Sequence, residues 1–248
     1  IIQLCDTQLG MGGYDHDMDT FNLAVKQINA LEPDLVVICG DLVNTNDDKS
    51  FKDFKEINAK FTVPCYLASG NHDVGNDPTT ESLERYRSII GKDYYNVDHK
   101  GYSFVVVNTQ LWKKDIGEES AKHQKWVTGT LKKNKRAGHK NVIVGHYPLF
   151  TQKPDEEEHY YSIPNPLRGI LLDLCTTQGV VAYMAGHTHK NIVNDYEGIP
   201  MVASATTSKN FDGAPMGFRV WVLGEDGPIS HEFVSLKGVE NIRKNNDE

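Results

Sequence analysis

The chain has few cysteines, four in 248 residues, with no Cys-x-x-Cys pair and no spacing typical of a small disulfide-stapled domain. Cys5, Cys39 and Cys65 lie in apolar runs and Cys175 in a helical pattern, so all four are expected to be buried structural thiols. Reduced thiols favour a cytoplasmic home. No apolar stretch approaches the ~18 residues that span a bilayer. No basic-then-apolar leader opens the chain. It starts inside a strand pattern, which leaves a processed, exported form open. Positive charge is also scarce: 26 Lys and Arg against 34 Asp and Glu give a net charge of −8. General attraction to nucleic acid or to an anionic membrane is therefore not expected. There is no basic stripe with interleaved aromatics, no internal repeat and no low-complexity tract. A local phosphate site remains compatible with this balance, because bound cations outweigh net charge at close range.

What the chain does have is a set of apolar runs that stop at metal-type ligands. Ile1 to Cys5 ends at Asp6, and Leu35 to Cys39 at Gly40-Asp41. Cys65 to Ser69 leads into Gly70-Asn71-His72-Asp73, Val142 to Val144 into Gly145-His146, and Val180 to Ala185 into Gly186-His187-Thr188-His189. Carboxylate, amide and imidazole are the donors that divalent metals take. Any one of these dipeptides reads equally well as a turn or a helix cap. Five in series at strand ends place Asp6, Asp41, Asn71, His146, His187 and His189 on one sheet edge as a metal site.

The first half alternates strand and helix. Helical patterns cover Asp19 to Leu31 and Asp47 to Lys60, with Phe21, Val25 and Ile28 on one face of the first and Phe51, Phe54 and Ile57 on one face of the second. This βαβαβ order predicts parallel pairing, with ligands at the C-terminal strand ends. Ser82 to Ile90, Ser120 to Asn134 and Asn165 to Thr177 read as further helices, and Tyr94 to Val107 as a hairpin. The short strands after Asn191 suggest a second, mostly antiparallel sheet, and Glu240 to Glu248 a frayed end. One domain spanning residues 1–248 is expected, of α/β (α+β) class.

The order Asp6-x-Gln8, Gly40-Asp41, Gly70-Asn71-His72, Gly145-His146 and Gly186-His187-x-His189 resembles the calcineurin-like metallophosphoesterases. The resemblance implies a four-layer sandwich of two mixed sheets flanked by helices, with two divalent ions (Mn, Fe, Zn, Mg or Ca). Asp41 would bridge the ions. Asp6 and His189 would complete one site, and Asn71, His146 and His187 the other, while His72 would face the phosphate. The implied activity is hydrolysis of phosphate monoesters by attack of a metal-bound hydroxide. A phosphodiesterase or nuclease, or a non-catalytic scaffold with a weakened metal centre, is the alternative.

Gln8 stands where that family usually has His. Together with Tyr147 to Phe150, Asp155 to Tyr161 and Gly186 to Asn191, it makes the chain similar to the subfamily of the human calcineurin-like phosphoesterase domain-containing protein, regarded as a serine/threonine phosphoprotein phosphatase. Either Gln8 offers its amide oxygen, or it only hydrogen-bonds nearby. Both readings make the first site the weaker one, with a preference for oxygen-loving ions. Asn44 takes the place of a carboxylate that orients His72 in many relatives, so the orienter of His72 stays open. Arg168 and Asn191 are candidates for substrate contact, alongside Asn71 and His72. Asp155 to His159 reads as a solvated loop, Tyr160 and Tyr161 as packing, and His16 as part of a solvated loop. His99, His123, His139 and His231 read as surface or hairpin residues. The expected partner is a phosphorylated small molecule or protein, bound by a monomer with no membrane span.

Overall fold

The computed structural model describes residues 1–224 and 228–245. The runs that end in ligand-type residues all form strands. β1 (Ile2–Leu4), β2 (Val36–Cys39) and β3 (Cys65–Ala68) pair in parallel, linked by α1 (Tyr14–Asn29) and α2 (Asp48–Asn58). α1 begins at Tyr14, ahead of the Asp19 expected from hydrophobic periodicity. Its buried Asp17 carboxylate accepts the N–H groups of Gly10 (2.9 Å) and Gly12 (2.8 Å), which folds the Gly-rich loop onto the first helical turn. α2 starts after Asp47, whose side chain accepts from the Ser50 N–H at 2.8 Å.

Two short helices follow, α3 (Asn71–Val74) and α4 (Thr80–Ile89). β4 (Tyr95–His99) and β5 (Tyr102–Val106) then form the expected hairpin. Next come α5 (Gln110–Lys113), α6 (Glu118–Arg136), β6 (Lys140–Val144), α7 (Leu167–Thr177) and β7 (Val180–Ala185). The tail supplies β8 (Ile192–Tyr196), β9 (Ile199–Ala203), β10 (Gly217–Val222), β11 (Ser230–Ser235) and α8 (Val239–Asn245). The polar end expected to fray thus forms a helix as far as Asn245, and residues 246–248 lie outside the described residues.

The strands divide into two mixed sheets, ordered β11-β10-β1-β2-β3 and β4-β5-β6-β7-β9-β8. This corrects two expectations. The tail does not build a sheet of its own: β8 and β9 extend one sheet and β10 and β11 the other. Nor do the ligand-bearing strands share one sheet, since β1, β2 and β3 lie in the first and β6 and β7 in the second. The reason is that β1, β2, β6 and β7 are buried on both faces, and such a run carries no mark of which sheet it joins.

Alternate residues explain the layers. In β2, Val36 and Ile38 face helices α1 and α2, while Val37 and Cys39 face the other sheet. In β6, Val142 and Val144 meet that inter-sheet core, and Ile143 faces the opposite helical layer. A buried polar bridge also ties the sheets. Gln3 donates to the Ala185 carbonyl (2.8 Å) and accepts from the Trp221 indole N–H (2.8 Å). Cys5, Cys39 and Cys175 are buried, Cys65 is half-buried, and all four are free thiols.

Candidate metal centre

The C-terminal ends of five strands, three from one sheet and two from the other, converge at the same end of the sandwich. The backbone there is bent. Of eight non-glycine residues with a left-handed φ among the described residues, five belong to this group: Asp6 (48°), Gln8 (37°), Asp41 (50°), His187 (68°) and His189 (53°). Such conformations cost about 1–3 kcal/mol each and persist only where the surroundings impose them. The glycines of the motifs make room. A Cβ at Gly70 would fall on the Asp41 carboxylate, and one at Gly186 on the Asp6 carboxylate. At Gly40 it would come within 2.8 Å of the His146 ring.

Asp6, Gln8, Asp41, Asn71, His146, His187 and His189 are all buried and gathered together. His146 Nε2 lies 3.0 Å from Asn71 Oδ1, 3.2 Å from His187 Nδ1 and 3.4 Å from Asp41 Oδ2. On the other side, His189 Nε2 lies 3.5 Å from Asp6 Oδ1. Both carboxylates are pinned by backbone N–H groups. That of His72 donates to Asp41 at 2.9 Å, and that of His187 to Asp6 at 3.0 and 3.1 Å.

Three of the histidines are oriented in the same way. The Nδ1–H of His146 donates to the Cys39 carbonyl (2.8 Å), that of His189 to Lys209 (2.5 Å) and that of His72 to Asn44 (2.8 Å). Each bond fixes the tautomer and leaves Nε2 for chemistry, the arrangement that metal-binding imidazoles need. The orienter of His72 is therefore a backbone carbonyl. Asp73 turns away from His72 and instead accepts from the N–H groups of Leu42 (2.9 Å), Val43 (3.3 Å) and Gly70 (2.8 Å), clamping two motif loops together.

The residues present fit divalent cations. Asp6, Asp41 and Asp73 are three buried carboxylates in one pocket, a costly grouping without positive charge. Burial pushes the Asp6 carboxyl well above the usual range, against the pull of His146. Burial and the nearby Asp41 charge lift Asp73 to about 8. Burial opposes charge on His146, but Asp41 and then Asp6 outweigh it and hold the imidazole at about 10. Burial and the neighbouring His146 push His187 well below its ordinary value. Gln8 Oε1 and His187 Nε2 are buried without any hydrogen-bond partner. Gln8 Nε2, by contrast, donates to Asn44 Oδ1 at 3.4 Å. The orphaned amide oxygen matches the atom that Gln8 would offer a cation.

The hydrogen bonds of Arg168 and Asn191 go to the framework rather than to the clustered ligands. Arg168 is fully buried, and its guanidinium donates to the carbonyls of Ile163 (2.9 Å), Pro154 (3.1 Å) and Glu156 (2.8 Å) and to the Ser162 hydroxyl (3.2 Å). It is spent on the loop between β6 and α7. Asn191 Oδ1 accepts from Arg219 (2.8 Å) and from the Ala205 N–H (3.2 Å), which ties it to the framework.

Other residues behave differently from their sequence reading. Glu156 is buried rather than solvated, accepting from the N–H groups of Thr151 (2.9 Å) and Gln152 (2.8 Å), the Ser162 hydroxyl (3.0 Å) and His159 (2.9 Å). Burial works against its charge, yet the N–H groups of Thr151 and Gln152 and the Ser162 hydroxyl hold its carboxyl down at about 2. Tyr160 and Tyr161 wall the centre, their rings 4.9 and 5.8 Å from that of His187. His123 is buried and accepts the Asn108 N–H at 3.2 Å; burial lowers it to about 3. Phe211, which no sequence signal marks, stacks on His189 at 4.5 Å and 9°.

Two outcomes follow from these contacts. Gly186→Ala should drive a methyl group into the Asp6 carboxylate and reduce bound metal, with the far-UV circular dichroism spectrum unchanged. Undiminished metal content by elemental analysis would contradict that steric reading. Glu156 has a folded-state pKa below its unfolded value of about 4.3, so its ionised form stabilises the fold above that pH. The contribution is lost as pH falls through about 2. Glu156→Gln should therefore flatten the acid-side decline in unfolding free energy measured by urea titration; an equally steep decline would contradict it.

Comparison with known proteins agrees with this geometry. The family model described as calcineurin-like phosphoesterase matches residues 1–191. The chain is 31% identical to the serine/threonine-protein phosphatase CPPED1 of Danio rerio, over 95% of this chain and 84% of the relative. It is 30% identical to the human protein of that name, over 96% of this chain and 80% of the relative. Among solved structures, a dimetal phosphatase from Danio rerio superposes with a TM-score of 0.73 at 14% identity, covering 95% of this chain and 98% of that one. The two-sheet sandwich, its ligand-bearing strand ends and the extent of these matches place the chain in the calcineurin-like phosphoesterase family, as a metal-dependent hydrolase of phosphoric esters.

Proposed function

We propose that this chain is a phosphomonoesterase acting on phosphorylated serine or threonine in proteins, with two ions held at unequal strength. The observation that carries the reading is the convergence of Asn71 Oδ1, His146 Nε2, His187 Nδ1 and Asp41 Oδ2 on one spot, beside a second group of Asp6, Gln8 and His189. Asp41, set against His146 and felt electrostatically by Asp6 and His189, would be the carboxylate the two groups share. The protein-phosphatase substrate is supported by the relatives that match over most of their length, which are named as serine/threonine-protein phosphatases.

Divalent ions bound here supply neutralisation of the phosphoryl oxygens and activation of the attacking water. The chain's own residues supply the rest. His72 is half-buried, and its Nδ1–H is committed to the Asn44 carbonyl, so Nε2 is the atom that meets a phosphoryl oxygen or the leaving alkoxide. Asn71 is held between His146 and the Tyr160 hydroxyl, which accepts from its Nδ2 at 3.4 Å. Its side chain is thus oriented from both ends. Tyr160 and Tyr161 shield one side of the centre from water. Gln8 offers a neutral amide oxygen where an imidazole would be the stronger ligand, so the Asp6 group is the weaker of the two.

Protein stripped with a chelator and reloaded with Mn²⁺ should hydrolyse p-nitrophenyl phosphate and a phosphoserine peptide. His72→Ala should lower kcat by about 10²–10⁴ with metal content retained. Asp41→Asn should lose both metal and turnover. Much faster hydrolysis of bis-(p-nitrophenyl) phosphate than of the monoester would indicate a diesterase. No turnover of any ester by fully loaded protein would indicate a scaffold.

A further inference from the structure

A cavity of about 370 Å³ adjoins the metal centre, lined by Thr151, Tyr161, Thr188, Lys190, Ile192 and Phe211 among others. Thr188 lies between the two candidate ligands His187 and His189, Phe211 stacks on His189 and the Tyr161 ring lies 5.8 Å from that of His187, so the cavity borders the candidate centre. A space of this size is too large for a phosphate group alone and suits a small organic group attached to it.

The walls are built rather than incidental. The ring of Phe211 lies parallel to that of His189, and its N–H donates to the His189 carbonyl at 3.4 Å. The Tyr161 N–H donates to His159 Nδ1 at 3.1 Å, and His159 in turn donates to the buried Glu156. The same Glu156 carboxylate holds the N–H groups of Thr151 and Gln152, the opposite part of the wall. Arg168 braces that loop from beneath through three carbonyls. Despite this anchoring, Tyr161 and Phe211 remain 47% and 52% exposed. With Tyr160 they account for three of the seven large apolar side chains left exposed among the described residues. Exposed rings gathered at a cavity mouth mark a surface with an apolar ligand.

We propose that this cavity receives the alcohol side of the phosphate ester and selects a planar apolar ring a few bonds from the phosphorus. The ring belongs either to a residue beside the phosphorylated one in a peptide or to an aryl group on a small ester. Tyr161 and Phe211 offer faces and edges for offset or tilted ring contacts, and Ile192 offers an aliphatic surface. Lys190 is exposed at the rim and makes no ion pair among the described residues, so it is free to lie over the bound ring. The inference rests on the phosphomonoesterase reading above, and it names the substrate class of that same site.

The test compares matched pairs on metal-loaded protein: 2-phenylethyl phosphate against ethyl phosphate, and a phosphoserine peptide with a neighbouring Phe against its Gly counterpart. The ring-bearing member of at least one pair should have the higher kcat/KM, by about tenfold. That ratio should fall towards one in the Tyr161→Ala/Phe211→Ala double variant and be retained in Tyr161→Phe. Preference within the ester pair alone identifies a small-molecule source, and preference within the peptide pair alone a side chain; either supports the subsite. A ratio near one for both pairs in the wild type, or a preference that survives the double variant, overturns it. Saturation-transfer NMR with 2-phenylethylphosphonate gives a readout independent of turnover. Ring protons should be saturated by the wild type and not by the double variant. Ring binding without hydrolysis of any ester would sink the phosphatase reading and leave the subsite standing, whereas turnover without ring binding would do the reverse.

Discussion

The Asp41 carboxylate, closed off from water where two sheets meet, sets the terms for everything around it. Its charge is opposed by burial yet favoured by His146, and these opposing influences leave its pKa below the ordinary carboxylate range. An ionised group in such a place needs fixed partners on all sides. The His72 N–H supplies one and the His146 ring another. Gly40 and Gly70 are bare because a side chain at either position would collide with His146 or with Asp41 itself. Asp73, one residue beyond His72, binds the N–H groups that follow Asp41 and so locks the second motif to the third. Two carboxylates near a third would repel one another in a dry pocket. The arrangement becomes favourable when divalent charge enters it, which is the reason to read the cluster as a metal centre.

A second constraint acts on the rim. The segment between β6 and α7 has no regular structure of its own, yet it carries the rings that face His187. Glu156 and Arg168, both buried, replace the missing hydrogen-bond ladder by binding its backbone groups from inside. Lys113 adds a third tie, donating to the carbonyls of His159 (2.8 Å) and Ser162 (2.6 Å), and burial holds its amine down to about 8. Charged residues that looked like solvent-facing or phosphate-facing groups are therefore the frame on which the aromatic wall stands.

Much of this was legible in the sequence, for identifiable reasons. Apolar runs buried on both faces signalled strands, and their termination at Asp, Asn or His signalled the site. The hairpin from Tyr95 to Val106 and helices α2 and α7 followed from periodicity and turn chemistry. What stayed hidden depends on contacts distant in sequence. Sheet membership is set by pairing partners, and a doubly buried run such as Val36–Cys39 does not name its neighbour. His72 is oriented by a carbonyl, which every residue possesses, so no side-chain pattern could reveal it. Glu156 sits in an acidic run that reads as solvated, because composition cannot show that the N–H groups of Thr151 and Gln152 turn towards it. Phe211 lies in a loop without a motif, and only the fold brings it onto His189.

Gln8 stands where the resemblance to the family leads one to expect an imidazole, and its amide oxygen is buried and unpartnered. Calorimetric titration of chelator-stripped protein with Mn²⁺ tests the proposed pair of sites joined at Asp41 most directly. Two sequential binding events are expected, the second at least about tenfold weaker, with Gln8→His strengthening the weaker event and leaving the stronger one in place. A single binding event, indifferent to Gln8→His, would contradict two sites joined at Asp41.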